Sequence, residues 1–300
     1  MLSKMSLAES AVNIWFKKFV GLLIIYRSVR FSSVLCFTSA TFAGAVLAGA
    51  IFDLKMVWLI IFSASSTAFG FIINDLSDAE LDKLDPIPRN PVSTGDLTFR
   101  RCVAASSFLV LFSLMSLFTL NKENQFLGMV VLYLYFTYSW LVRAKAHPPL
   151  DLVYHGLCPA VLAIMGWRQY KPLDTSCLLL ASVVFLLSSI SQILQEIRDY
   201  KTDSLMIKTT VTKLGKRKSL VLCLIFFASA FFLFIPLLFN GVFPLQILFL
   251  SPLAYFVVSP IIKALRGEVS EKTMLEYIER KRLILIAILV VALIISCGIL

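Results

Sequence analysis

Charge is scarce in this chain. Asp, Glu, Lys and Arg make up 15% of its 300 residues, against about a quarter in an ordinary soluble domain. That shortage excludes a soluble globular class. Only two histidines occur, His147 and His155, too few for a His-based metal centre. The six cysteines, Cys36, Cys102, Cys158, Cys177, Cys223 and Cys297, form no CxxC pair, and most lie in or beside apolar runs. They read as small packing residues, not as metal ligands or disulfide partners. No strand-like alternation of polar and apolar residues competes with the long apolar runs, which excludes a membrane β-barrel. The start, MLSKMSLAESAVNIWFKKF, has no apolar core followed by a small-residue cleavage site, so it is not a secretory signal. Val12, Ile14, Trp15, Phe16 and Phe19 beside Lys17 and Lys18 make it an amphipathic segment, expected to lie at the membrane interface over residues 1–30.

What the chain has in abundance is apolar length. Hydrophobic residues make up 59% and mean hydropathy is +0.86. The expected class is an all-α integral membrane protein, a single membrane domain over 1–300. Nine candidate spans fall at roughly 31–52, 56–74, 102–120, 125–142, 150–167, 176–195, 219–239, 243–263 and 283–299. The basic residues set an orientation. With the N-terminus inside, the inner segments hold five, four, two, seven and six Lys and Arg, which is 24 of the 28. Only Lys55, Lys122, Arg168 and Lys171 fall outside. This predicts N-in, C-out. The net charge of +10 is then a matter of topology and anionic lipid contact, with no nucleic acid implied.

The scarce acids are not scattered. NDLSDAELD (74–82) closes the second span, with Asp75, Asp78 and Asp82 on one helical face. QEIRDYKTD (195–203) closes the sixth in the same pattern, so that Asn74, Asp75, Asp78 and Asp82 face Gln195, Glu196, Asp199 and Asp203. The offset is 121 residues and four spans, which suggests two pseudo-repeated four-helix halves plus a ninth helix. One reading makes these acids solvated helix ends. Acids at a helix C-terminus are locally unfavourable, however, and a repeated unfavourable pattern points to a cation between the stripes. Carboxylate and amide oxygens suit a hard ion such as Mg²⁺ shared with substrate phosphates. Lys83, Arg89, Arg198, Lys201 and Lys208 stand close by in sequence as phosphate donors, although a positive-inside loop carries such residues in any case. YLYFTYSWLVRAKAHPPL (133–150) brings Tyr135 and Tyr138 toward the same end, beside Arg143 and Lys145. These are either an interfacial aromatic belt or rings that face a developing carbocation with a cation nearby for phosphate.

These residues resemble the UbiA superfamily of intramembrane prenyltransferases. NDLSDAELD is similar to the family's NDxxDxxxD, RDYKTD to its second DxxxD-type motif, and RNPVSTGDL (89–97) to its R-x-P-[LIV]-x-x-G segment. YSWLVRAKAHPPLD is similar to its tyrosine- and lysine-containing loop. The resemblance implies that Mg²⁺ is held by Asn74, Asp78, Asp82, Asp199 and Asp203, with Asp75 and Glu196 as further ligands. It implies a polyprenyl diphosphate as substrate, Tyr138 beside an allylic carbocation, Lys145 on the diphosphate, and a lipid or aromatic acceptor. The active site would face the cytoplasmic side of the cell membrane. Gln195, Glu196 and Asp151 depart from the commoner family residues, and Gln195 and Glu196 keep oxygen ligands. Three alternatives stay open: a transporter, a non-catalytic lipid-binding relative, and phosphoribosyl transfer to a polyprenyl phosphate.

Overall fold

A computed structural model describes residues 30–84 and 90–296. The amphipathic segment expected over 1–30 therefore lies, except for Arg30, outside the described residues, as do Arg89 and Cys297. The described chain is helical, without a strand. Its α-helices are α1 (Phe31–Leu47), α2 (Leu54–Asp82), α3 (Phe99–Leu117), α4 (Lys122–Ser139), α5 (Leu150–Tyr170), α6 (Thr175–Met206), the short α7 (Thr210–Leu214), α8 (Lys216–Phe239), α9 (Tyr255–Leu265) and α10 (Glu271–Ser296). A 3₁₀ turn spans Ala144–Ala146, and a longer 3₁₀ segment, Leu245–Ala254, leads into α9.

Among the described residues, six helical stretches are long and apolar enough to cross a membrane. They are α2, α3, α5, α6, α8 and the continuous Leu245–Leu265; α1 is a shorter apolar helix. Phe118, Phe126, Phe232, Phe239 and Phe249 point outward, each at least two-thirds exposed. Such outward aromatics are costly in water and natural in lipid. Two expected spans differ in extent. The second and sixth runs do not stop at the acids: α2 and α6 continue through both acidic motifs to Asp82 and Met206. The segment before the last expected span winds directly into α10. Ser270 Oγ accepts from Thr273 N–H there, and the hydroxyl satisfies a donor that the first turn leaves free.

The packing repeats as the sequence does. α1 packs on α2 and α2 on α3; α5 packs on α6 and α6 on α8. Asp53 caps α2 by accepting from Met56 N–H at 2.8 Å, and Asp174 caps α6 by accepting from Cys177 N–H at 2.8 Å. Positions 53 and 174 differ by 121, the same offset as Asn74 and Gln195. Both ends of the paired helices therefore match. The α1–α2 and α5–α6 pairs meet where α1 crosses α5 on glycine. A Cβ on Gly44 would sit 2.1 Å from Ala163 O, and one on Gly166 would sit 2.1 Å from Thr41 O. Only hydrogen fits at either point.

Candidate active site

The acid-bearing ends of α2 and α6 are not packed side by side. Between them lies a cavity of about 420 Å³. It takes in Asn74, Asp75, Asp78 and Asp82 from α2 and Gln195, Glu196, Asp199 and Asp203 from α6. Tyr135 and Tyr138 from α4 and Lys145 from the following turn complete the polar end. Residues 195–203 and 74–82 are far apart in sequence, and helical periodicity explains their shared site. A spacing of three or four residues turns each stripe onto one face, and the two faces meet the same space.

Each acid has a distinct setting. Asp75 is 2% exposed and accepts from Arg30 Nη2 at 2.9 Å. Asp78 is paired with the Lys145 ammonium. Asp82 accepts from Asn90 Nδ2 at 2.8 Å, and the same amide donates to Asp75 O at 2.6 Å. Ser93 Oγ donates to Ala79 O at 2.7 Å, so the loop after α2 is pinned along the stripe. On α6, Arg198 grips Asp199 with two bonds of 2.9 Å. Glu196 is buried; it accepts from Gln192 Nε2 at 3.0 Å and from Val211 N–H at 3.1 Å. The Asp203 carboxylate has no hydrogen-bond partner among the described residues.

Lys145 reaches the cavity from a strained turn. Leu141 and Arg143 adopt left-handed backbone conformations, φ 56° and 49°, which a non-glycine residue pays for in strain. The turn lays the ammonium against Asp78, with Ser77 Oγ accepting at 2.8 Å and Asn74 Oδ1 at 3.4 Å. Burial pushes the Lys145 pKa below its usual value, and the Asp78 carboxylate opposes that shift. Tyr138 lies near Tyr154, ring centroids 6.5 Å apart, and its hydroxyl accepts from Gln192 Nε2 at 3.1 Å. That bond ties α4 to α6. Tyr135 packs its ring on Gly70 and shares a hydrogen bond with Thr67 at 3.0 Å.

The donor set suits a hard divalent ion. Seven carboxyl groups line the cavity: Asp75, Asp78, Asp82, Glu196, Asp199, Asp203 and Glu279. Four cationic side chains face them, Arg30, Lys145, Arg198 and Arg282. Carboxyl groups thus outnumber cationic side chains by three, a surplus that suits a bound cation. Among the described residues, no three His, Cys, Asp or Glu side chains converge into a ready coordination shell. The oxygens stand instead along two walls, an arrangement that leaves room for ligand oxygens between them.

All seven expected metal ligands, Tyr138, Lys145 and Arg198 therefore meet at one cavity. Arg89 lies outside the described residues, and the other expected donors do not join them. Lys83 is ion-paired with Glu80 at 2.7 Å on the surface. Lys201 and Lys208 are exposed and outside the lining. Sequence reasoning missed Arg30, Asn90, Gln192, His155, Glu279 and Arg282, all at or beside the cavity. Gln192 carried a usable signal, standing four residues before Glu196 on the same helical face. Arg30 and Arg282 carried none beyond their weight in the topology.

A search of curated proteins finds no match. The solved structures do supply relatives in fold. A UbiA homologue from Archaeoglobus fulgidus bound to GPP and Mg²⁺ is 19% identical, covering 92% of this chain and 99% of its own, with TM-score 0.69. The apo UbiA homologue from Aeropyrum pernix K1 is 20% identical over 88% of this chain and 97% of its own, with TM-score 0.73. A digeranylgeranylglyceryl phosphate synthase is 17% identical over 93% and 99%, with TM-score 0.67. The model of the UbiA prenyltransferase family matches residues 37–278, more than three-quarters of the sequence. This chain belongs to the UbiA prenyltransferase family.

Proposed function

We propose that this protein is a Mg²⁺-dependent intramembrane enzyme that transfers a polyprenyl group from its diphosphate to a lipid or aromatic acceptor. The observation that carries the reading is the convergence of both acidic stripes, Tyr138 and Lys145 on one cavity with an excess of three carboxylates. Asn74, Asp78 and Asp82 on one wall and Asp199 and Asp203 on the other would hold the ion. Asp75 and Glu196, tied to Arg30 and to Gln192 and Val211, would support the walls. Bound there, Mg²⁺ supplies the charge that stabilises a departing diphosphate. Lys145 and Arg198 bind diphosphate oxygens from the two sides. The allylic C–O bond breaks with its electron pair going to the diphosphate. Tyr138 presents its ring to the resulting allylic cation. The acceptor attacks C1 and releases a proton. The GPP-bound and Mg²⁺-bound A. fulgidus homologue supports this ligand class.

The chain is a multi-pass membrane protein. The finer topology we infer is nine spans in one domain, N-in and C-out, with the cavity on the cytoplasmic side. The 24 to 4 asymmetry of Lys and Arg supports it. Labelling of single cysteines with a membrane-impermeant reagent tests it: a cysteine at position 171 should react from outside, and one at 213 only after permeabilisation. The opposite pattern would reverse the orientation.

The reaction itself is tested with purified protein, radiolabelled geranylgeranyl diphosphate and a panel of lipid and aromatic acceptors, with Mg²⁺ or EDTA. A prenylated product formed only with Mg²⁺ is expected. Diphosphate that neither binds nor reacts would refute the reading and favour a transporter.

A further inference from the structure

Tyr135 and Tyr138 both line the cavity, but they are held in different ways. Tyr135 is buried, and its ring packs so closely on Gly70 that a Cβ added there would sit 2.5 Å from it. Tyr138 is only half-buried. The centroid of the Tyr154 ring stands 6.5 Å from its own. Its hydroxyl has one hydrogen-bond partner among the described residues, Gln192 Nε2 at 3.1 Å. α4 packs chiefly on α5 and α2, so this bond is a link across to α6. Packing fixes the first ring; a single amide tethers the second.

The amide is itself fixed. Gln192 is 8% exposed, and its Nε2 also donates to Glu196 Oε1, one helical turn on, at 3.0 Å. A carboxyl oxygen at that place decides which end of the amide faces it. Nitrogen must point at Glu196, and its second N–H is left for Tyr138. Glu196 is set in turn by Val211 N–H, which donates to Oε2 at 3.1 Å. The α7 turn that carries Val211 is tied to buried Asp151 through Thr210 N–H and through Thr210 Oγ1 at 2.6 Å. A line of bonds therefore runs from Asp151 through α7, Glu196 and Gln192 to the Tyr138 hydroxyl. A ring tethered at that end keeps one orientation, whereas a free one samples other rotamers. Orientation matters for a cation, because the ring face attracts positive charge and the edge does not.

We propose that Gln192 is a positioning residue: it holds the Tyr138 ring so that its face meets the allylic cation. This rests on the prenyltransfer reading and adds to it a residue that acts through Tyr138 and not on the metal or the diphosphate.

The test is equilibrium binding to the full chain in detergent, with Mg²⁺ and inorganic pyrophosphate present. Two probes are compared: geranylgeranyl dimethylammonium, which carries positive charge beside C1, and its uncharged carbon isostere. Gln192→Leu and Gln192→Met should each weaken binding of the ammonium about fivefold, the size of one cation–π contact. Binding of the isostere should change by less than about twofold. Tyr138→Phe keeps the ring and removes the tether, so it should act as the Gln192 variants do. Gln192→Leu combined with Tyr138→Phe should lose no more than either alone. Equal losses for both probes would make Gln192 a packing residue and overturn the proposal. So would unchanged ammonium binding in both Gln192 variants, or additive losses in the combined variant. If the unaltered protein binds neither the ammonium nor, with Mg²⁺, geranylgeranyl diphosphate, the prenyltransfer reading itself fails and takes this proposal with it.

Discussion

At the scale of single residues, each wall of the cavity depends on a carboxylate whose partner is a cation on this chain. Asp78 meets Lys145 and Asp199 meets Arg198. In the proposed reaction both acids also serve the metal, so neither has a substitute on its own helix at the same height. Asp78→Ala and Asp199→Ala should each lower turnover on the order of 100-fold or more. Each variant should still elute as a folded membrane protein, which size-exclusion chromatography in detergent checks. Near-normal turnover in either would remove that residue from the metal set. Lys145 is different, because it donates but cannot ligate. Lys145→Ala should raise the KM for the prenyl diphosphate roughly tenfold, the loss of one charged hydrogen bond, and leave the acceptor KM nearly unchanged. Steady-state kinetics with each substrate varied separates the two. An equal rise in both would place Lys145 outside the diphosphate contact.

At the scale of helices, the site depends on where α2 and α6 start and on how α1 meets α5. The Asp53 side chain caps α2 and also accepts from Tyr170 Oη at 2.6 Å. Burial works to raise its pKa, but the bonds from Tyr170 and Met56 and the Lys55 charge outweigh it and hold the value below the usual carboxylate range. A pKa lower in the folded state means stabilisation that is fully present above about pH 4 and is lost as pH falls through the folded value. Asp53→Ala should therefore cost about 1 kcal/mol at neutral pH and less at pH 3. Thermal unfolding in detergent at the two pH values measures this; a cost that grew on acidification would contradict it. The α1–α5 crossing is stricter, since backbone carbonyls cannot rotate away from an added carbon. Gly44→Ala and Gly166→Ala should each destabilise by about 1–3 kcal/mol. Unchanged melting would mean that the two helices sit farther apart than 2.1 Å contacts imply.

Local pattern explains what could be read ahead of the structure. The acid stripes were legible because helical periodicity acts within nine residues, and apolar runs were legible because lipid requires them. The ends of those runs were not. The acids of NDLSDAELD (74–82) read as a departure from the membrane, yet α2 continues through them to Asp82, because i to i+4 backbone bonds persist wherever a wall of partners receives the side chains. Contacts between distant segments were invisible. Arg30 and Asp75 are 45 positions apart, and Ser32 and Arg282 are 250. The Asp53 and Asp174 caps stand at the same offset of 121 residues as the motifs; two lone aspartates offer no pattern until both are seen to start helices.

At the scale of the whole molecule, α2 and α6 bring one acidic wall each to a shared cavity, and neither wall by itself gathers the oxygens a divalent ion needs. In the proposed reaction both walls act together, through Mg²⁺, on one diphosphate. Equilibrium binding of radiolabelled geranylgeranyl diphosphate to the purified protein tests it most directly, with and without Mg²⁺, for the unaltered chain, Asp78→Ala and Asp199→Ala. Binding should require Mg²⁺ and should fall at least about tenfold in both variants. Tight binding in EDTA, or a variant of either wall that binds as well as the unaltered chain, would contradict it.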